Sequence, residues 1–229
     1  MKRSVKILSF IIAAVLFCGT LAGCTGKSGS AASEAPVQDG TENKVMTADV
    51  DSGKEQADPS TAGIEHNSLV VYFSYTGHLD SMAHWIADEA GGDIVRVTAK
   101  EAYPDDYDAT VDRAKKEQDD DDRPEINVDL TPEGLKEYDT IFLGFPVWWY
   151  DLPMPMWTFL ESYDFSGKTI IPFISHEGTS NGGSAYENIK KLAAGAEVRS
   201  EDALSIHGKK VDSSEQDVRS WVNALGYSK

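Results

Sequence analysis

The segment VYFSYTGHLD, residues 71–80, changes character abruptly after its first three residues. Val71, Tyr72 and Phe73 form an apolar run, and two hydroxyl residues, a glycine and several polar residues follow at once. This pattern predicts a strand that ends at Phe73 and a helix that begins by about Asp80. The residues between them form a Ser-x-Thr-Gly loop at the carboxyl end of a strand, a position that often carries function.

The loop has the composition of a phosphate cradle. A helix N-terminus offers unpaired backbone N–H groups and a partial positive charge. Ser74 and Thr76 add hydroxyl donors, and Gly77 lets the backbone approach a ligand closely. The loop is neither the Gly-x-x-x-x-Gly-Lys of a P-loop nor the Gly-x-Gly-x-x-Gly of a dinucleotide site. The alternative is that the two hydroxyls only cap the helix and shape the turn, and the loop alone leaves both interpretations open.

The chain from residue 68 onward alternates strand-like apolar runs with helix-like segments. DTIFLGFPVW and KTIIPFIS are apolar on both faces, which is typical of strands in a parallel sheet that is covered on both sides. EVRSEDALSI is expected to hold the last strand, and SSEQDVRSWVNALGY a terminal helix capped by Ser213 or Ser214. Five such units predict a doubly wound α/β domain over residues 68–229.

Two further loops leave predicted strand ends with unusual residues, at the edge where open α/β sheets bind ligands. In residues 145–150, Trp148, Trp149 and Tyr150 stand in succession and suit a flat, partly polar ring, unless they pack under the next helix. Residues 175–183 are rich in glycine and hydroxyls, so their backbone can address the edge of a heterocycle, unless they form a plain loop. Together the three loops predict a site for a mononucleotide with a planar ring.

Several stretches and their spacing resemble the flavodoxin-like family, specifically the flavodoxin-family domain of bacterial lipoproteins. They are YFSYTGHLDSMAHWIA and YDTIFLGFPVWWYDLPMPMWTFLESYDFSGKTIIPFISHEGTSNGGS. The resemblance implies a five-stranded parallel sheet of order 2-1-3-4-5, with helices on both faces and FMN as the cofactor. It implies an FMN site in which Ser74, Thr76, Gly77 and His78 surround the phosphate, Pro146, Val147, Trp148 and Trp149 line one side of the isoalloxazine ring, and His176, Glu177, Gly178 and Thr179 address its other edge. No catalytic side chain and no metal ligand is assigned.

One position departs from the family pattern. The family loop usually continues with a threonine where this chain has Leu79. The change removes a hydroxyl near the phosphate, and a hydrogen bond to a charged group contributes roughly 1.5–3 kcal/mol. Leu79 is therefore expected to weaken FMN binding, or to abolish it.

The N-terminal residues predict export and a lipid anchor. Three basic residues precede a short apolar stretch and the sequence Leu-Ala-Gly-Cys, which resembles a bacterial lipobox ending at Cys24. We expect residues 1–23 to be a signal peptide and Cys24 to carry the lipid, although an ordinary signal peptide with an incidental cysteine is the alternative. Residues 24–67 are small and polar without periodicity and predict a flexible tether. The domain is thus expected outside the cytoplasm, anchored to the bacterial cell membrane.

Cysteine content and charge exclude several function classes. The two cysteines, Cys18 and Cys24, both precede the domain. Thiol redox chemistry, iron–sulfur ligation and thiolate zinc sites are therefore excluded in the domain. Electron transfer by the domain would need an organic cofactor. The chain carries a net charge of −17, and removing residues 1–23 takes away three basic residues and no acid, which leaves −20. Nucleic acid is therefore an improbable partner. The acidic run between Glu117 and Asp122 is expected to be a solvated face, with a basic redox partner as a further hypothesis.

Two functions from different classes follow from these patterns. The favoured one is a membrane-tethered, FMN-binding redox protein that transfers electrons to an unidentified redox partner or reduces quinone-like small acceptors. The alternative is a flavodoxin-like binding or interaction module that has lost its flavin, which Leu79 would favour. Binding of FMN separates the two.

Overall fold

The computed structural model describes residues 67–178 and 181–229. These residues form an α/β fold of eight strands and six α-helices. The strands are β1 (Ser68–Tyr72), β2 (Asp93–Arg96), β3 (Thr98–Ala99), β4 (Ile126–Asn127), β5 (Thr140–Pro146), β6 (Thr169–His176), β7 (Glu197–Val198) and β8 (Leu204–His207). The helices are α1 (His78–Ala90), α2 (Tyr107–Asp119), α3 (Pro132–Leu135), α4 (Met154–Ser162), α5 (Ala185–Leu192) and α6 (Glu215–Ala224).

The main sheet is parallel and runs in the order β2-β1-β5-β6, with β7 and β8 both paired to β6. β7 pairs with Thr169 and Ile170 at the start of β6, and β8 pairs with the segment from Phe173 to His176 at its end. The fifth position of the sheet is therefore shared by two short strands, which a 3₁₀ helix, Ser200–Asp202, separates. With these two strands counted as one position, the predicted order 2-1-3-4-5 is confirmed.

Both faces of the sheet are covered, as the two-sided apolar strands predicted. Leu69, Val71 and Phe73 of the first strand and its extension point into a core with α4 and α5. Val70 and Tyr72, which alternate with them, point into a second core with α1 and α6. This alternation follows from the pleat of a strand, because successive side chains lie on opposite faces.

Some predicted bounds and roles differ in the structure. α1 begins at His78, two residues earlier than expected, because Gly77 with φ 96° already starts the first turn. The hydroxyl of Ser214 donates to the carbonyl of Lys210 (2.6 Å) and does not cap α6. The 13-residue helix α2 was not predicted as an element.

The acidic run is only partly a solvated face. Glu117 is 7% exposed, whereas the aspartates from Asp119 to Asp122 are exposed. The Glu117 carboxylate accepts from the Arg113 guanidinium (2.8 Å) and from the hydroxyl of Tyr103. Burial at this position follows from the helix period of α2, which places Glu117 on the same face as the buried Thr110 and Ala114.

The predicted signal peptide, the lipidated Cys24, the tether over residues 24–67 and the site residue Thr179 lie outside the described residues. Within residues 67–178 and 181–229, no helix is long and apolar enough to span a membrane.

Candidate functional site

The Ser-x-Thr-Gly loop connects the carboxyl end of β1 to the N-terminus of α1. The Ser74 hydroxyl accepts from the backbone N–H of Gly77 (3.2 Å), so it shapes the turn. In the described chain no side chain caps the first turn of α1, and Thr76 is exposed. Ser74 therefore shapes the turn, as the alternative for this loop expected, but neither hydroxyl caps the first turn of the helix. The first N–H groups of α1, which have no partner inside the helix, remain available to an anion.

Leu79 belongs to the core. It is 1% exposed and packs in the cluster that α1 and α6 form against the sheet. Its apolar side chain packs in the core, it also lines the candidate pocket, and the first-turn N–H groups do not depend on it. The expected loss of FMN affinity at this position stays a prediction.

Arg96, the last residue of β2, is a neighbour of the loop that the sequence analysis missed. Its guanidinium donates to the Ser74 carbonyl (3.0 Å) and pairs with the Asp80 carboxylate in the first turn of α1 (3.1 Å). β2 lies beside β1 with Tyr72 opposite Arg96, which brings the side chain to the carboxyl edge of the sheet. Burial and the neighbouring Asp80 raise the pKa of Tyr72 to about 12, so this hydroxyl stays protonated.

The two tryptophans of the aromatic loop after β5 lie in different environments, one half-buried and one exposed. The Trp148 ring is half-buried and makes edge-to-face contacts with Phe73, Tyr75 and Tyr103, at centroid distances of 5.5, 6.0 and 5.1 Å. Trp149 is 43% exposed and has a left-handed backbone, with φ 48°. Tyr150, with φ 64°, is also left-handed, and such values are uncommon for residues other than glycine. A loop held in this conformation is consistent with a functional role.

The end of β6 places His176 beside His207, the last residue of β8, and Glu177 follows at the start of the loop. The His176 ring lies edge-on to the His207 ring, with centroids 5.6 Å apart. Nδ1 of His176 is buried and has no hydrogen-bond partner among the described residues. Nε2 of His207 is 3.9 Å from the Glu177 carboxylate, and its Nδ1 accepts from the backbone N–H of Lys209 (3.2 Å). Gly178 is exposed.

Asp151 fastens the aromatic loop to α5. It is 6% exposed, and its carboxylate accepts from Leu152 N–H (2.8 Å), the Ser184 hydroxyl (2.8 Å) and the Asn188 amide (2.5 Å). A buried carboxylate needs hydrogen-bond donors in place of the water that it loses on folding, and these three groups supply them. The sequence analysis missed Asp151, since its partners are more than 30 residues away along the chain.

A pocket of about 160 Å³ brings the three predicted loops together. The predicted site residues that line it are Thr76, His78, Pro146, Val147, Trp148, His176 and Glu177. Leu79, which departs from the family pattern, also lines it, as do Tyr75, Tyr107 and Ser175, which were not predicted. An adjoining pocket of about 230 Å³ shares the walls formed by Tyr75, Tyr107, Val147 and Trp148 and adds Trp149. Ser74 and Gly77 lie in the loop beside these walls, and Thr179 is not described.

Another cavity, of about 1000 Å³, lies away from the three loops and is lined by residues from Lys100 to Glu125. Its charged walls already pair with one another or with neighbours, as Arg113 does with Glu117 and Lys100 with Glu125. Among residues 67–178 and 181–229, no three His, Cys, Asp or Glu side chains are arranged to hold a metal ion. The pocket at the sheet edge is therefore the candidate site.

Comparison with known proteins agrees with this architecture. The profile of the flavodoxin family matches residues 67–225. A structure from Bacteroides uniformis ATCC 8492, described as a candidate flavoprotein, is 31% identical with a TM-score of 0.58, and the match covers 69% of this chain and 98% of that chain. A flavoprotein from Lactobacillus acidophilus NCFM, solved in complex with FMN, is 25% identical with a TM-score of 0.52, and the match covers 65% of this chain and 97% of that chain. No curated protein matches the chain. Because the family profile covers well over half of its residues, the chain belongs to the flavodoxin family.

Proposed function

We propose that this protein binds FMN and acts in electron transfer or in the reduction of quinone-like small acceptors. The observation that carries the proposal is the convergence of an uncapped helix N-terminus and an aromatic loop on one pocket at the carboxyl edge of the sheet. Family membership and the FMN complex of the Lactobacillus acidophilus flavoprotein support the choice of ligand. When bound, FMN supplies the redox chemistry, and the protein supplies binding, orientation and electrostatics.

The phosphate end of FMN fits the loop between β1 and α1. Gly77 has a left-handed φ of 96°, and no side chain of the described chain makes a capping hydrogen bond in the first turn of α1. Backbone N–H groups at a helix N-terminus bind phosphate well, because donors and helix dipole act together. Ser74, Thr76, Gly77 and His78 would hold the phosphate.

The ring of FMN fits the space between the other two loops. Trp148 is held in place by three aromatic neighbours and offers a rigid surface next to Pro146 and Val147. A buried polar atom without a partner is uncommon in proteins, and the unpaired Nδ1 of His176 at the opposite wall is of this kind. It is suited to a polar edge of a ligand. Trp149, Glu177, Gly178 and Thr179 would complete this end.

The location of the protein is part of the same proposal. The sequence pattern around Cys24 favours a lipid anchor at the outer side of the cell membrane, with residues 24–67 as a tether. A tether of this length would let the domain reach partners within the membrane surface layer, including apolar quinones. Labelling of cells with a radioactive fatty acid tests the anchor, since Cys24→Ser would abolish the label on this protein.

The test of the function is a titration of the purified full-length chain with FMN, followed by flavin fluorescence and absorption. We expect quenching with micromolar or tighter affinity. Trp148→Ala should remove most of the quenching, and Thr76→Ala should weaken FMN binding without changing the unfolding midpoint. Trp157→Phe is the control for loss of a tryptophan, because Trp157 packs against Arg123 and does not line the pocket.

The opposite result would contradict the proposal. If the folded chain binds no FMN at any reachable concentration, the alternative function, a flavodoxin-like interaction module without flavin, takes its place. If FMN binds and quinones do not reoxidise the reduced protein, the role in electron transfer to a partner protein remains and the reductase role is excluded.

A further inference from the structure

An acidic side chain stands directly beside the phosphate loop. Asp80 lies in the first turn of α1, and a Cβ on Gly77 would be only 3.9 Å from its Oδ2 atom. A carboxylate in the first turn stabilises a helix through the dipole, but it repels a second anion at the same helix end. A phosphate bound at Gly77 would therefore meet a like charge unless that charge is compensated.

Arg96 supplies the compensation. Its Nη1 pairs with Oδ1 of Asp80 (3.1 Å), and the two side chains are 45% and 31% exposed. Its Nη2 donates to the carbonyl of Ser74 (3.0 Å), at the start of the same loop. One guanidinium thus joins both ends of the loop and neutralises the acid between them. Arginine suits this task because its planar group carries several donors in fixed directions, whereas the single ammonium of lysine does not.

Tyr72 is a second neighbour of this carboxylate. It is 4% exposed, and burial together with the nearby Asp80 raises the pKa of its hydroxyl. Arg96 is the cation that pairs with Asp80. A second acid, Glu177, lies near His78, because Glu177 Oε1 and the His78 ring are both within 3 Å of a Cβ built on Gly208.

We propose that the Arg96–Asp80 pair determines how strongly the site prefers a flavin with a phosphate monoester over the same flavin without one. The inference rests on the proposed function, since it concerns the phosphate end of the FMN site. Arg96 acts as a positioning residue: it orders the loop through Ser74 and removes the repulsion from Asp80. Without Arg96 the uncompensated carboxylate would disfavour FMN, whose phosphate is charged, and leave riboflavin unaffected.

The experiment compares the affinities of the purified full-length chain for FMN and for riboflavin by fluorescence titration. Arg96→Gln should weaken FMN binding roughly three- to tenfold, from one lost charge-assisted hydrogen bond and one uncompensated charge, and leave riboflavin binding unchanged. Asp80→Asn should strengthen FMN binding and leave riboflavin unchanged. In the double variant the Asp80 change should recover part of the loss caused by Arg96→Gln, because the repelling charge is gone. Arg199→Gln is the matched control, since Arg199 pairs with Asp202 beside the start of β6, away from the loop.

Several outcomes would overturn the inference. Equal weakening of FMN and riboflavin in Arg96→Gln would show a purely structural role, and unchanged binding of both would show no role. If Arg96→Gln does not fold, an unchanged FMN-to-riboflavin ratio in Asp80→Asn overturns the inference by itself. Failure of the unmodified chain to bind either flavin would instead refute the proposed function, and the inference with it.

Discussion

The aromatic loop after β5 and the loop after β6 contact each other at Gly183, and this contact gives the sharpest prediction for the fold of the site. Gly183 has φ +56°, and a Cβ at this position would overlap the carbonyl oxygen of Tyr150 in the aromatic loop. The same carbonyl accepts from the backbone N–H of Ser184 (2.8 Å) and from its hydroxyl (3.2 Å). The obstacle is backbone, which cannot rotate away as a side chain would. Gly183→Ala must therefore push the two loops apart.

The expected loss can be divided between two causes. A left-handed backbone costs a residue other than glycine about 1–2 kcal/mol. Forcing a methyl group into an occupied space costs about 1–3 kcal/mol more. We expect Gly183→Ala to lower the free energy of unfolding by about 3 kcal/mol, or the melting temperature by about 6–12 °C for a domain of this size.

Two other glycines separate these causes. Gly167 has φ +74° but no described atom within 4 Å of a Cβ, so Gly167→Ala should lose only about 1 kcal/mol. Gly178 has neither a left-handed φ nor a described neighbour at that distance, so Gly178→Ala should be neutral or stabilising by up to about 1 kcal/mol. Urea unfolding of the three variants without flavin measures the series. Equal losses for Gly183→Ala and Gly167→Ala would refute the role assigned to the Tyr150 contact.

Three further predictions test other parts of the structure. Leu79→Thr, which restores the family hydroxyl, should destabilise the protein by about 2–3 kcal/mol because the side chain is buried in the core. Its FMN affinity should rise by about tenfold, from one hydrogen bond to a charged group, and an unchanged affinity would show that position 79 does not reach the phosphate. Asp151→Asn should cost about 1–3 kcal/mol in urea unfolding, since an amide oxygen replaces a carboxylate with three donors; a loss smaller than that of Asn188→Ala, which removes one donor, would contradict this. Hydrogen bonds from the Ser166 hydroxyl and backbone N–H lower the pKa of Asp164 in the folded protein. The ionised Asp164 therefore stabilises the fold at pH values above its unfolded pKa of about 4. This stabilisation disappears as the pH falls through the lower pKa of the folded state. The difference between the unmodified chain and Asp164→Asn should accordingly be largest near neutral pH, and a difference that grows toward pH 3 would reverse the assignment.

Local patterns in the sequence were sufficient to predict the elements that carry the three loops, although not α2, whose Tyr107 also lines the pocket. The apolar run before Ser74 and the glycine after Thr76 indicate a strand, a turn and a helix through residues that are neighbours in the chain. The two-sided apolar strand β5 likewise indicates a buried parallel sheet. The strand order came from the family resemblance, because hydrophobic periodicity does not specify which strands are adjacent.

The residues that the sequence analysis missed act across long distances along the chain. Arg96 reaches Ser74 over 22 residues, and Asp151 reaches Ser184 over 33. Neither partner is recognisable from spacing, since the pairing depends on which strands and loops lie side by side. The division of the last sheet position between β7 and β8 was missed for a similar reason, because EVRSEDALSI has too few apolar residues to mark two separate strands.

The two ends of the candidate site are held by different interactions, so their contributions to flavin affinity can be measured separately. The phosphate end depends on the Arg96–Asp80 ion pair, whereas the ring end depends on Asp151 and on the close approach of Gly183 to Tyr150. A change at the ring end should weaken FMN and riboflavin by the same factor, because both ligands carry the ring. A change at the phosphate end should alter only FMN. The ratio of the two affinities therefore reports on the phosphate loop alone, and a Gly183→Ala variant that changed this ratio would show that the two ends are coupled through the sheet.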